Sequence, residues 1–129
     1  MMTKNQFIDE IDRRREALHT AAAMAIVLEA LYPGRNDFQL TMGERLLIRV
    51  FNYPEVVTIL RDLAQKGLHL KFSNQWSSYD DVLFSWRADG IELWLVCKPE
   101  EIPQDLKGPG CILVKKTVQN VEYHLECPL

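Results

Sequence analysis

Thr41-Met42-Gly43-Glu44-Arg45-Leu46-Leu47-Ile48-Arg49-Val50-Phe51 decides the fold, because it carries two secondary-structure signals that exclude each other. Thr41 and Glu44 have the spacing of a capping box just ahead of an apolar run, which favours a helix through about Phe51. Leu46 to Phe51 is also rich in strand-preferring residues and short enough for a buried strand. The capping-box spacing tips the expectation toward the helix. Another helix follows in either case: Pro54 suits a first helical turn, Val56, Val57, Leu60, Leu63 and Ala64 form an apolar stripe, and Gly67 sits where a C-terminal cap belongs.

With Thr41 to Phe51 helical, the chain runs long helix, short extended piece, helix, turn at Asn52-Tyr53, helix, strands. That layout resembles a winged helix in element order and implies a nucleic-acid-binding regulator. Its would-be recognition helix, Glu55 to Lys66, sets Glu55 and Asp62 against Arg61 and Lys66, so it offers phosphates no net positive charge. With Thr41 to Phe51 extended, residues 46–72 instead form a β-α-β unit whose crossover helix lies on one face of a sheet.

Upstream, Lys4 to Leu31 has no Gly or Pro, is rich in Ala, Leu, Glu and Arg, and stops at Pro33-Gly34, which predicts a long N-terminal helix. Asp9 to Glu16 is charged, with Phe7, Ile8, Ile11 and Leu18 on roughly one side. Ala21 to Leu31 is apolar almost all round and is expected to be buried by the rest of the domain or by a second copy, in a homodimer. Asp9 and Glu10 precede Arg13 and Arg14 by four residues, the orientation of helical ion pairs, so Arg13-Arg14-Arg15 reads as a solvated face rather than a phosphate patch.

Downstream of Leu68 the chain reads as strands. Asp89-Gly90 is a type I′ hairpin dipeptide that pairs Val82 with Cys97, Phe84 with Leu95, Trp86 with Leu93 and Arg87 with Glu92. Val82, Phe84, Trp86, Ile91, Leu93, Leu95 and Cys97 then share the core face. A second hairpin around Gln119-Asn120 pairs Val118 with Val121, Val114 with Leu125 and Ile112 with Cys127, and gathers Ile112, Val114, Val118, Val121, Tyr123, Leu125 and Cys127 on one face. Pro99 to Gly110 is a constrained loop with room for a helical turn at Glu100 to Leu106. With Leu68 to Phe72 added, the C-terminal half holds a mostly antiparallel sheet of about five strands, and residues 1–129 form a single α+β domain.

The composition fits that class. The chain has 129 residues, 47% hydrophobic and 26% charged, with a formal net charge of −3, which excludes disordered and low-complexity classes and gives no global pull toward nucleic acid or anionic membrane. The most apolar run, Ala21 to Leu31, is far shorter than the roughly 20 residues needed to cross a bilayer. Three cysteines, Cys97, Cys111 and Cys127, in a chain whose start does not read as a signal peptide predict free thiols in a cytoplasmic, reducing setting.

Signals for chemistry are sparse. His124 and Cys127 have an H-x-x-C spacing with Cys111 nearby, but residues three apart on a strand point to opposite faces, so no metal ligand is expected. No nucleophile motif or phosphate loop is present, no cofactor is expected, and no residue is assigned to catalysis. Asp80 beside Asp81 reads as a solvated turn. What folding alone does not explain is the stretch Ser73-Asn74-Gln75-Trp76-Ser77-Ser78-Tyr79-Asp80, read here as a loop too polar for a core yet bearing a Trp and a Tyr, the residues favoured at interfaces. Trp94, with Leu83 and Val96, falls on the sheet face opposite the core, which is more apolar than a solvated face should be and is expected to be covered either by the N-terminal helix or by a partner. Trp76, Tyr79, Asp80 and Trp94 are therefore the expected partner contacts of a small non-enzymatic protein that binds another protein as an inhibitor, immunity-type protein or adaptor. A winged-helix-like nucleic-acid-binding regulator is the alternative, and a small-molecule-binding protein or enzyme comes third.

Overall fold

The computed structural model describes residues 1–107, 112–117 and 121–128, with side chains for 1–106 and 123–128. Helix α1 (Lys4–Leu31) opens on a capping box, in which Thr3 Oγ1 accepts the Gln6 N–H at 3.2 Å and Gln6 Oε1 accepts the Thr3 N–H at 2.9 Å. It closes where Tyr32 donates its amide to the Leu28 carbonyl, just ahead of Pro33-Gly34. Only Ala21 and Leu28 of the helix are fully buried, and Phe7, Ile8, Ile11 and Leu18 stay exposed.

The deciding stretch is extended, which corrects the helical expectation. Strand β1 (Gln39–Leu40) and strand β2 (Leu46–Val50) form a short antiparallel hairpin with Leu40 opposite Leu46. The capping signal at Thr41 is real but serves the turn: its Oγ1 accepts the N–H groups of Gly43 at 3.2 Å and Arg45 at 3.1 Å. Glu44 takes φ 55°, a left-handed conformation that ends any helical path. A strand here lets Leu46, Ile48 and Val50 pair with Ile91, Leu93 and Leu95, burying all six. The winged-helix order needs a helix in this place and is not adopted.

Helix α2 (Tyr53–Gln65) follows as expected. The Asn52 side chain accepts the Glu55 N–H at 2.9 Å, and Gly67 at φ 83° lets Leu68 and Gly67 donate back to Leu63 and Ala64, a Schellman closure. Val56, Ile59 and Leu63 are its buried residues, whereas Val57 is exposed.

Strands β3 (Lys71–Ser78), β4 (Asp81–Ala88) and β5 (Ile91–Cys97) form an antiparallel meander, and the sheet order is β1-β2-β5-β4-β3 with β2 and β5 parallel. β2-α2-β3 is thus a split β-α-β unit, with β5 and β4 lying between its two strands. The β4–β5 register agrees with the expected pairs, from Val82 with Cys97 to Arg87 with Glu92. The turn differs in type. Gly90 takes φ 79° but Asp89 has no positive φ, and a type I′ turn needs both.

After β5 come a 3-10 turn (Pro99–Glu101), helix α3 (Gln104–Lys107) and the hairpin of β6 (Ile112–Thr117) and β7 (Val121–Glu126). Its observed register sets Ile112 against Glu126 and Val114 against His124, one residue away from the expected pairing. Thr117, not Val118, stands opposite Val121, so the pairing expected from a two-residue turn at Gln119-Asn120 is not the one observed. That turn, Val118 and Cys111 lie outside the described residues, as does the side-chain sorting of Ile112, Val114 and Val121. The free-thiol expectation is corrected as well: Cys97 is a buried free thiol, but Cys127 is disulfide-bonded.

The core lies on one face of the five-stranded sheet. Leu28 of α1, Val56, Ile59 and Leu63 of α2, and Ile102 pack on Ile48, Phe84, Trp86, Leu93 and Leu95, with Tyr123 and Leu125 at the margin. Tyr123 is tied to the edge strand β3 by two side chains: Ser77 Oγ donates to its carbonyl at 2.7 Å and accepts its N–H at 2.6 Å, and Gln75 Nε2 donates to the same carbonyl at 2.9 Å.

Candidate functional site: the open face of the sheet

Strand alternation places Leu47 and Arg49 of β2, Glu92, Trp94 and Val96 of β5, Leu83, Ser85 and Arg87 of β4, and Lys71, Asn74 and Trp76 of β3 on the second face. The helical side chains that reach the core join the first face, so α1 does not cover Trp94 as expected.

The stretch from Ser73 to Ser78, read as a loop, belongs to β3. It is polar because β3 is an edge strand, and a bulge between Phe72 and Asn74 interrupts its pairing with β4. Only Tyr79 and Asp80 remain as the connecting turn, with Tyr79 at φ 55° and its side chain almost wholly in solvent. Trp76 and Trp94 are brought together, whereas Tyr79 and Asp80 stand apart at the tip.

The two indoles meet edge to face with centroids 5.1 Å apart and planes at 80°. β3 and β5 flank β4, so their backbones are separated by two strand spacings, roughly 10 Å, and the indoles close over the strand between. Leu83 and Ser85, the β4 residues paired with Trp76 and Trp94, are buried, with relative exposures of 7% and 0%. The Ser85 hydroxyl finds no hydrogen-bond partner among the described residues.

Polar partners hold the Trp94 ring in place. Its Nε1–H donates to the Glu92 carboxylate, which is itself buried and ion-paired with Arg87 at 2.7 Å. The Arg49 guanidinium lies 5.6 Å from the Trp94 ring centroid, in cation–π range. Sequence reasoning missed Arg49, Glu92 and Arg87 as parts of this site. The alternation that put Trp94 on the second face also puts Arg49 there once Leu46–Val50 is a strand.

Elsewhere, His124 Nε2 lies 3.3 Å from Glu126 Oε1, and among the described residues no three His, Cys, Asp or Glu side chains converge as metal ligands. Among the described residues, no helix is long and apolar enough to cross a membrane. Comparison with protein-family models, with curated proteins and with solved structures finds no match.

Proposed function

We propose that this protein is a non-enzymatic binding module that takes a protein partner on the open sheet face, in an inhibitor, immunity-type or adaptor role. The observation that supports the reading is the braced pair Trp76–Trp94 with Arg49 stacked on it. Trp and Arg are the residues most enriched in binding hot spots, and side chains already held in one rotamer lose little entropy on binding. The partner segment is acidic. Arg49 and Lys71 are exposed on this face without a carboxylate partner among the described residues, whereas Arg87 is neutralised by Glu92, and Lys98 by Asp81 at 2.8 Å.

A basic, aromatic sheet face also serves single-stranded nucleic acid as a stacking platform. Here Arg49 lies over the Trp94 ring, so a base stacking on that face would have to displace it, which favours protein. A cytoplasmic setting was expected, but a disulfide at Cys127 belongs more naturally to an oxidising compartment.

Panning a random-peptide library on the full chain tests the proposal. Enrichment of peptides with Asp or Glu beside an apolar or aromatic residue, lost with Arg49→Glu at unchanged thermal stability, is the expected result. Selected peptides that bind Arg49→Glu as well as the parent chain refute it.

A further inference from the structure

We propose that the pocket between the N-terminus of α2 and the segment after β5 binds a small alkylated ammonium compound, a ligand that joins a positive charge to an apolar surface. β2 and β5 run parallel, so their C-terminal ends lie side by side; the chain leaves one into α2 and the other into the 3-10 turn. Between these two exits lies a cavity of about 400 Å³. Its lining residues Leu95 and Cys97 belong to the core face, so it is separate from the open face that carries Trp94.

The pocket is mostly apolar. Buried Leu95 and Cys97 form its inner wall, and Phe51, Tyr53, Pro54 and Pro103 line the rest. Tyr53 packs against the core, whereas Phe51 is 66% exposed at the end of β2, an aromatic that folding does not account for. The Cys97 thiol adds no charge, because burial, then the carboxylates of Glu101 and Asp81, push its pKa up to about 11 and keep it protonated at neutral pH.

Electrostatics choose a cation. Glu101 lines the pocket, and its carboxylate has no ion-pair partner among the described residues. The basic groups on the flanking elements are already committed, Lys98 to Asp81 at 2.8 Å, and Arg35 to Asp37 at 2.8 Å and Glu55 at 3.3 Å. The start of α2, ordinarily a place for anions, is largely closed to them: Pro54 has no N–H, and Asn52 accepts those of Glu55 at 2.9 Å and Val56 at 3.5 Å. An anion would meet a carboxylate and few free donors, whereas a cation meets that carboxylate beside two aromatic side chains. Alkylation follows from the apolar wall. A primary ammonium brings three N–H donors, of which those facing Leu95 and the prolines would go unsatisfied, whereas a quaternary ammonium has none and presents methyl groups.

Titration of the isotope-labelled full chain with choline, followed by amide chemical shifts, tests the proposal. The expected result is saturable shifts centred on Phe51, Tyr53, Cys97 and Glu101, with millimolar or tighter affinity. The neutral isostere dimethylbutanol, in which carbon replaces the charged nitrogen, is expected to bind at least roughly tenfold more weakly. Glu101→Gln, at an exposed position that leaves the core intact, is expected to weaken choline binding by a similar factor, roughly tenfold. Glu100→Gln removes the same charge from the neighbouring exposed residue, which does not line the pocket, and leaves binding unchanged. The absence of saturable shifts, equal binding of the neutral isostere, parent-like binding by Glu101→Gln, or equal weakening by the two glutamine variants overturns the proposal.

Discussion

Ser85 and Glu10 show how single residues report on the two exposed regions of the molecule. Ser85, paired with Trp94, is wholly buried with no partner for its hydroxyl among the described residues, so removing that hydroxyl removes a desolvation cost. Ser85→Ala is expected to raise stability by about 1 kcal/mol in denaturant unfolding. A comparable loss of stability would mean that the hydroxyl is satisfied. Glu10 accepts hydrogen bonds from Arg13 at 2.6 Å and Arg14 at 3.1 Å, and these bring its carboxyl from the ordinary 4.5 down to about 2. A depressed carboxylate pKa stabilises the folded form above the unfolded value and loses that contribution as pH falls through the folded one. Far-UV circular dichroism is therefore expected to show unchanged helicity from pH 7 to about pH 5, with any loss from α1 confined below the ordinary carboxylate range. Fraying of α1 already at pH 6 would argue against the ion pairs.

At the level of elements, the outcome depended on how many independent constraints each segment carried. β4 and β5 were legible in register because alternation, charge pairing of Arg87 with Glu92 and a strong turn dipeptide agreed. β6 and β7 slipped by one residue because Gln119-Asn120 is a weak turn signal and alternation alone does not set loop length. At Thr41 the same hydroxyl capture that starts a helix instead braces a hairpin turn, and the choice lay with distant partners in β5 that no local window contains. β3 was shortened to Leu68 to Phe72 in the reading because an edge strand does not need an apolar face. Of the site, Trp76 and Trp94 were legible and Arg49 was hidden behind the wrong secondary structure. Gly90 tests how α1 is docked. Gly34 at φ 86° has open space around its missing Cβ, so Gly34→Ala carries conformational strain alone, about 1 kcal/mol. Gly90→Ala adds a collision with the Thr20 backbone at 3.1 Å to the same strain, and a cost of about 2 kcal/mol or more is expected in thermal or denaturant unfolding. Equal costs for the two substitutions would show that α1 is not seated on the turn.

Taken as a whole molecule, the chain buries one sheet face under α1, α2 and the segment bearing Ile102 and Leu106, with Tyr123 and Leu125 of β7 at its margin, and among the described residues the helical side chains that reach the core lie on that face alone. A solvated face needs neither two indoles nor a buried carboxylate to hold one of them, and this excess of structure is what the binding proposal explains. Of the three tryptophans, Trp86 lies in the core, so a change in indole emission on adding a ligand reports on Trp76 and Trp94. The most direct test is a fluorescence titration of the full chain with a synthetic peptide carrying Glu residues around one Phe, beside a single-stranded oligonucleotide of equal charge. The proposal predicts a saturable emission change with the peptide that disappears in Arg49→Glu. No response to the peptide, with a saturable response to the oligonucleotide, would contradict it.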